Sequence, residues 1–91
     1  MASELGFEIR RRIGEMDITE EQAAQIIGVS QPTLSRWISG KQRPSKPKHI
    51  RALLLTIGMS ANEYAHFRAK DAEVEILRDA ESALATDPQD L

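Results

Sequence analysis

Gln31 and Arg36 are side chains that can each form two parallel hydrogen bonds with one planar partner. The Gln amide matches the N6 and N7 atoms of adenine, and the Arg guanidinium matches the O6 and N7 atoms of guanine. No Asp or Glu occurs between Glu21 and Glu63, so a polyanion can approach this stretch. These residue types indicate recognition of DNA base edges, whereas the simpler alternative is that both are solvated helix residues.

Basic residues are concentrated in the same acid-free stretch, although the chain of 91 residues carries a net charge of −2. Residues 1–58 hold nine basic and six acidic side chains, whereas residues 59–91 hold three basic and eight acidic ones. Such asymmetry indicates a side that faces a polyanion, or simply a solvated basic surface. We interpret the separate run Arg10-Arg11-Arg12 as a solvated helix face. The basic side chains of the acid-free stretch are Arg36, Lys41, Arg43, Lys46, Lys48 and Arg51.

No group of residues suits catalysis or metal binding. The chain has no cysteine, which excludes disulfides, thiolate metal sites and cysteine nucleophiles. His49 and His66 are 17 residues apart with no carboxylate arranged beside them, so we expect neither to bind a metal or to act in catalysis. We therefore predict a protein that is not an enzyme and needs no cofactor.

The sequence shows neither a membrane span nor a signal peptide. No apolar run approaches the roughly 20 residues that a membrane span needs. The segment Met1-Ala2-Ser3-Glu4 lacks the basic region and apolar stretch of a signal peptide. We expect a cytoplasmic protein with one small core, and no room for a separate ligand-sensing domain.

The apolar pattern predicts an all-helical chain, because no alternating strand pattern and no hairpin turn signal is present. A first helix is expected over Glu4–Met16, with Ser3 as its N-cap. Gly6 and Gly14 each cost this helix about 1 kcal/mol relative to Ala. Its predicted inner face consists of Leu5, Ile9, Ile13 and Met16.

Thr19 and Gln22 form a capping box that predicts the start of a second helix. Gly28 follows and ends this helix in the left-handed conformation that Gly adopts at little cost. The predicted inner face consists of Ala23, Ala24, Ile26 and Ile27.

A third helix is expected over residues 31–39, with Ser30 as N-cap, Pro32 in the first turn and Gly40 after its end. Two helices joined by so tight a turn form a helix-turn-helix. Leu34, Trp37 and Ile38 share one face, so Trp37 is predicted to lie in the core rather than to stack on bases. The opposite face carries no acid and suits a major groove. It comprises Gln31, Pro32, Thr33, Ser35 and Arg36.

A basic loop at residues 41–44 is predicted to precede a fourth helix. Ser45 is expected to cap this helix, with Pro47 in its first turn and Gly58 at its end. The predicted inner face consists of Ile50, Leu53, Leu54 and Ile57.

The last helix is expected to run from Ala61 to about Ala85, with Ser60 and Glu63 as its capping box and a frayed tail from residue 87. Its apolar stripe continues through Ala65, Ala69, Ala72, Ile76, Ala80 and Ala83. So broad a stripe covers either its own domain or the same helix of a second subunit, and we favour dimerisation. We divide the chain into a DNA-binding domain, residues 1–59, and a dimerisation helix, residues 60–91. The predicted dimer contacts are Val74, Ile76, Leu77, Ala80 and Leu84.

The order of these features resembles the helix-turn-helix domain of the phage lambda Cro and repressor type, the XRE family, over residues 5–58. The matching segments are Ile18-Thr19-Glu20-Glu21-Gln22-Ala23-Ala24, Gly28-Val29-Ser30, Leu34-Ser35-Arg36-Trp37 and Gly40-Lys41-Gln42-Arg43-Pro44-Ser45. The resemblance implies a lambda-repressor-like domain of five helices, here with an extended C-terminal helix. It also implies a dimer that places the third helix in the major groove of operator DNA.

The resemblance identifies Gln31 and Arg36 with base-reading positions of the family. Pro32 stands where relatives often carry a polar base-reading residue. Proline can make only an apolar contact there, for example with a thymine methyl group. Glu20 stands where relatives usually carry a phosphate-binding Gln, and its carboxylate repels a phosphate, although the neighbouring Thr19 and the backbone N–H groups can still hold one. The predicted base-reading residues are Gln31, Pro32, Ser35 and Arg36. The predicted phosphate contacts are Thr19, Thr33, Lys41, Arg43, Lys46 and Lys48.

These observations predict a sequence-specific regulator that binds double-stranded DNA, most simply a dimeric repressor at a palindromic operator. One alternative is a HigA-type antitoxin, whose long last helix would face a toxin protein and which would co-purify with the product of a neighbouring gene. A second alternative is a protein-interaction adaptor, which would show no salt-dependent binding to DNA.

Overall fold

Five α-helices follow one another along the chain, and the described residues contain no β-strand. The computed structural model describes residues 3–86 and, of these, the side chains of residues 3–73. The helices are α1 (Glu4–Glu15), α2 (Glu20–Ile27), α3 (Gln31–Ser39), α4 (Pro47–Ile57) and α5 (Ala61–Thr86). This order of elements confirms the predicted all-α fold of five helices.

Side-chain caps begin the first three helices at the predicted residues. Ser3 Oγ accepts the backbone N–H three residues later at 2.8 Å, and Ser30 Oγ accepts the N–H of Thr33 at 3.2 Å. The capping box is complete, because Gln22 N–H donates to Thr19 Oγ1 at 3.1 Å and Thr19 N–H donates to Gln22 Oε1 at 2.9 Å. Each cap contributes about 1 kcal/mol to helix stability, so these helix starts are encoded locally.

The start of α4 differs from the prediction that Ser45 is its N-cap. Lys46 is the N-cap, with an extended backbone at φ −80° and ψ 127°, and no side chain caps this helix start. The Lys46 carbonyl accepts the N–H groups of His49 at 2.9 Å and Ile50 at 3.0 Å. A residue before proline favours the extended region, so Lys46 stays outside the helix and Pro47 takes its first position.

An apolar core joins α1 to α2, α3 and α4. Leu34, Ile9 and Leu53 are its largest fully buried side chains, and they come from three different helices. Ile50 and Leu54 of the predicted α4 face are only half-buried. The buried apolar residues are Leu5, Ile9, Ile13, Ala23, Ala24, Ile27, Leu34, Trp37, Ile38, Leu53, Ile57 and Met59.

Two residues that were predicted to face inward are exposed. Met16 is 41% exposed, because it is the C-cap that follows the last turn of α1. Ile26 is 60% exposed, since it lies about 100° around the helix from the buried Ile27. The prediction was therefore wrong at both positions, and apolar character alone did not identify the buried stripe.

The N-terminal part of α1 lies directly against the end of α3. A Cβ atom added at Gly6 would lie 1.9 Å from the carbonyl oxygen of Ile38, which is a backbone atom. At Gly14 an added Cβ would meet nothing within 4 Å. Only Gly6 is therefore required for the close approach of α1 to the third helix.

The first half of α5 packs against its own domain. Tyr64 and Phe67 are partly buried against the core. Asp71 is 8% exposed, and its carboxylate accepts the N–H of Glu4 at 2.8 Å and the N–H of Leu5 at 3.4 Å. The start of α5 thus covers its own domain and caps α1, whereas the side chains of the predicted dimer contacts, residues 74–84, lie outside the described residues.

Arg12 links α1 to the junction between α4 and α5. Its Nη1 donates to the carbonyl oxygen of Gly58 at 2.9 Å, and its Nη2 pairs with the carboxylate of Glu63. The hydrogen bond with Arg12 lowers the pKa of Glu63 below its ordinary value. This pairing removes two charges from the surface available to a ligand.

Replacing Asp71 by Asn tests the attachment of α5 to α1. We expect Asp71→Asn to lower the free energy of unfolding by about 1–2 kcal/mol, because a buried carboxylate at a helix N-terminus loses its charge. Glu73→Gln removes the same charge from an exposed position of α5 and should change stability by less than about 0.5 kcal/mol. Urea denaturation of both variants measures the difference, and equal effects would show that the Asp71 contact does not stabilise the domain.

Candidate nucleic-acid interface

The turn between α2 and α3 holds the two helices at a defined angle. Gly28 has φ 93°, in the left-handed region that favours Gly. The N–H groups of Gly28 and Val29 both donate to the carbonyl oxygen of Ala24, at 2.8 and 3.0 Å. Ala24 and Leu34 are both buried in the core, so α3 is fixed to α2 by packing as well as by the turn.

The predicted base-reading side chains lie on the outer face of α3. Gln31, Pro32 and Arg36 are exposed, and Ser35 is half-buried. The guanidinium of Arg36 has no hydrogen bond or ion pair with any of the described residues, whereas its carbonyl accepts from Ser39 Oγ and Gln42 N–H, both at 3.2 Å. The backbone around Arg36 is therefore held in place while its side chain is available to a ligand.

Two of the predicted phosphate contacts take part in helix caps, since Thr19 caps α2 and Thr33 is hydrogen-bonded to the N-cap of α3, Ser30. Thr19 Oγ1 accepts the N–H of Gln22, and its hydroxyl hydrogen can still be donated. Thr33 Oγ1 lies 2.8 Å from Ser30 Oγ. These threonines are consequently oriented by the caps that position the two helices.

The basic residues that were predicted to contact phosphate lie in two different environments. Lys41, Lys46 and Lys48 are exposed, and none of their ammonium groups has a hydrogen bond or ion pair within the described part of the chain. Arg43 is also exposed, but it lines a small cavity of about 20 Å³ together with Trp37 and Asp71. Arg43 therefore lies toward α5, whereas Lys41 lies toward α1.

A groove of about 460 Å³ lies between α1, the start of α2 and the end of α3. It brings the predicted residues Ser35 and Lys41 together with Arg10, which was interpreted from the sequence as solvated. The acidic Glu20 also borders it. The lining residues are Arg10, Glu20, Ser35, Ile38, Ser39, Gly40 and Lys41.

The three arginines of α1 differ in their partners. Arg11 Nε donates to Glu8 Oε1 at 2.6 Å, and the hydrogen bond with Glu8 raises the pKa of Arg11. Arg12 pairs with Glu63, while the guanidinium of Arg10 has neither an ion pair nor a hydrogen bond among the described residues. The sequence could have predicted that Arg10 lacks a partner on its own helix, because the residues three and four positions before and after it include no acid.

Trp37 lies in the core, as predicted, with 3% of its surface exposed. Its ring centroid is 6.2 Å from that of His49. Trp37 therefore fixes the inner side of α3 and offers no face to a nucleic-acid base. Across residues whose side chains are described, no three His, Cys, Asp or Glu residues form a group suited to a metal ion.

No helix within residues 3–86 is both long and apolar enough to span a membrane. Even α5, with 26 residues, carries too many charged residues for a span.

A helix-turn-helix family model matches residues 9–64, which is 56 of the 91 residues. Comparison with curated proteins and with solved structures returned no match. The matched segment includes the turn at Gly28, the whole of α3 and the basic loop that follows it. The chain therefore belongs to the XRE family of helix-turn-helix proteins, the lambda Cro and repressor type, whose members are DNA-binding transcription regulators.

Proposed function

We propose that the protein is a dimeric repressor that reads a palindromic operator by inserting α3 into the major groove. The observation that carries this proposal is the outer face of α3, which is free of acidic residues and carries the exposed guanidinium of Arg36, with no partner among the described residues. A major groove admits an α-helix, and the N-terminal residues of a recognition helix contact base edges. Repression follows if the bound dimer prevents RNA polymerase from reaching the promoter.

Each base-reading side chain suits a different base feature. Gln31 binds the N6 and N7 atoms of adenine, and Arg36 binds the O6 and N7 atoms of guanine. Pro32 contacts the methyl group of thymine, and the Ser35 hydroxyl donates to or accepts from a base edge. Each bidentate pair discriminates against a wrong base by about 1–3 kcal/mol, so these few contacts suffice for a specific half-site.

Phosphate contacts surround α3 and hold it in register. Thr19 at the start of α2 and Thr33 in α3 supply hydroxyl groups, and the loop and the start of α4 supply cations. Contacts of this kind position a protein on the duplex without specifying sequence. The proposed phosphate-binding cations are Lys41, Arg43, Lys46 and Lys48.

Dimerisation through α5 would set the distance between two recognition helices. Ala65, Ala69 and Ala72 of the apolar stripe are exposed in the described half of the helix. Continuation of the stripe through the proposed contacts Val74, Ile76, Leu77, Ala80 and Leu84 supports pairing with a second copy. Two half-sites are then expected about 34 Å apart, which is one turn of DNA.

Substitution of Leu77 by Asp in the full chain tests the dimer. We expect Leu77→Asp to give monomers in sedimentation velocity, because a buried unpaired carboxylate is costly at an apolar interface. Leu55→Asp is the matched control, since Leu55 of α4 is 77% exposed and lies outside α5. A dimer that survives Leu77→Asp but not Leu55→Asp would place the interface on α4 instead.

The salt dependence of operator binding tests the proposed function. We expect a mobility shift with DNA from the promoter of its own operon, and a slope of log affinity against log salt of about −3.6 for each half-site, because the four proposed phosphate-binding cations contribute about −0.9 each. A random duplex of equal length should bind more weakly. An affinity that does not change with salt would rule out the proposed function.

A further inference from the structure

The groove that Arg10, Ser35 and Lys41 share adjoins the recognition surface. We propose that this groove binds one backbone phosphate of the operator, with Arg10 as a contact alongside Lys41. The inference rests on the proposed function, because its ligand is the duplex that α3 reads. It assigns a DNA-binding role to α1, which lies outside the helix-turn-helix pair.

Charge and hydrogen-bonding capacity favour an anion in this groove. Arg10 comes from α1 and Lys41 from the loop after α3, and neither cation is paired with any described residue. Among the described residues that line the groove, Glu20 is the one acid, so these residues give the groove a net charge of +1. The Ser35 hydroxyl has no partner within the described chain, whereas Ser39 Oγ already donates to the Arg36 carbonyl. The groove thus offers two cations and one hydroxyl donor.

The position of the groove favours a DNA phosphate over a small free anion. Ser35 is both a proposed base-reading residue and part of the groove lining, so a duplex seated on α3 would lie beside the groove. The groove is open along one side and is much larger than one phosphate group, so it would enclose a free phosphate poorly. A phosphate that belongs to a bound duplex needs no enclosure, because the other contacts of the duplex hold it there.

Arg10 also explains how this chain accommodates Glu20 at the start of α2. A carboxylate at this place repels a phosphate, and a cation in the same groove offsets that repulsion. No ion pair of 4.0 Å or less joins Arg10 to Glu20, so the guanidinium remains available to the phosphate. Glu20→Gln should consequently strengthen operator binding and leave the role of Arg10 unchanged.

Arg10→Gln and Arg11→Gln in the full chain form a matched pair, because each removes one positive charge from adjacent positions of α1. For each half-site, we expect Arg10→Gln to weaken operator binding roughly fivefold to tenfold near 0.15 M salt, and to make the salt slope about 0.9 shallower. Arg11→Gln should change the affinity less than about twofold, since Arg11 is engaged by Glu8 and Glu15. Arg10→Lys should keep most of the affinity, because it retains the charge.

Operators with single neutral methylphosphonate substitutions identify the ligand. At one position per half-site, the substitution should weaken binding of the unmodified protein but cause no further loss for Arg10→Gln. If Arg10→Gln and Arg11→Gln weaken binding equally, the effect comes from the net charge of the protein and the proposal is overturned. If no methylphosphonate position behaves in this way, Arg10 does not contact a phosphate. If the unmodified protein shows no salt-dependent DNA binding, the proposed function itself fails. That result differs from a failure of the Arg10 proposal alone, in which the unmodified protein still binds DNA.

Discussion

Replacing Gly6 by Ala should lower the free energy of unfolding by about 3 kcal/mol and should weaken operator binding as well. The new Cβ atom would lie 1.9 Å from the carbonyl oxygen and 2.7 Å from the carbonyl carbon of Ile38. These are backbone atoms that cannot rotate away, so α1 and α3 must move apart, and overpacking of this kind costs about 1–3 kcal/mol. Because Ile38 belongs to the last turn of α3, the movement also displaces the recognition helix.

Gly14→Ala is the control for this prediction, because it makes the same substitution in the same helix. An added Cβ at Gly14 meets nothing within 4 Å, and Ala favours helix by about 1 kcal/mol relative to Gly. Gly14→Ala should therefore stabilise the protein by up to about 1 kcal/mol, opposite in sign to Gly6→Ala. Urea denaturation measures both variants, and a loss of the same size at both positions would show that close packing at Gly6 is not the cause.

Arg36→Ala should cost about 1–3 kcal/mol of binding free energy at one base pair of each half-site and should relax the preference there. The reason is that the exposed guanidinium has no partner in the described part of the chain, while the Arg36 carbonyl is held by Ser39 and Gln42. The measurement is competition binding against operators that carry each of the four base pairs at every position. The loss should appear at one position and be absent from the others.

Arg51→Ala is the matched control for Arg36→Ala. Arg51 is an exposed arginine of the same acid-free stretch, but it lies on α4 and has no proposed DNA contact. We expect Arg51→Ala to leave the base preference unchanged. A uniform loss for Arg36→Ala on all sequences would instead identify Arg36 as a phosphate contact, and unfolding curves of both variants should match the unmodified protein.

Local features of the sequence were sufficient to predict the first three helices. The Thr19 and Gln22 capping box, the left-handed Gly28 and the cap at Ser30 each depend on atoms within four residues. Because such interactions need no distant partner, they fixed α3 at residues 31–39 before any packing was known. The burial of Leu34 and Trp37 followed from their spacing on that helix.

Predictions were wrong where two local preferences competed or where burial depended on a neighbouring helix. Ser45 and Pro47 repeat the spacing of Ser30 and Pro32, yet Lys46 adopts the extended conformation favoured before proline and becomes the N-cap. Ile26 is as apolar as Ile27 but faces away from the helices that bury α2. Neither outcome is decided by residue type alone.

The sequence by itself determined an all-helical chain, the bounds of α3 and the acid-free face that it presents, because capping and helical spacing act over a few residues. Tertiary structure alone decided which charges are available and which helices meet. It pairs Arg12 with Glu63 but brings Arg10 to Ser35 and Lys41, and it places Asp71 at the start of α1, 67 residues from its partner Glu4. Such contacts depend on how helices cross, so no local pattern encodes them.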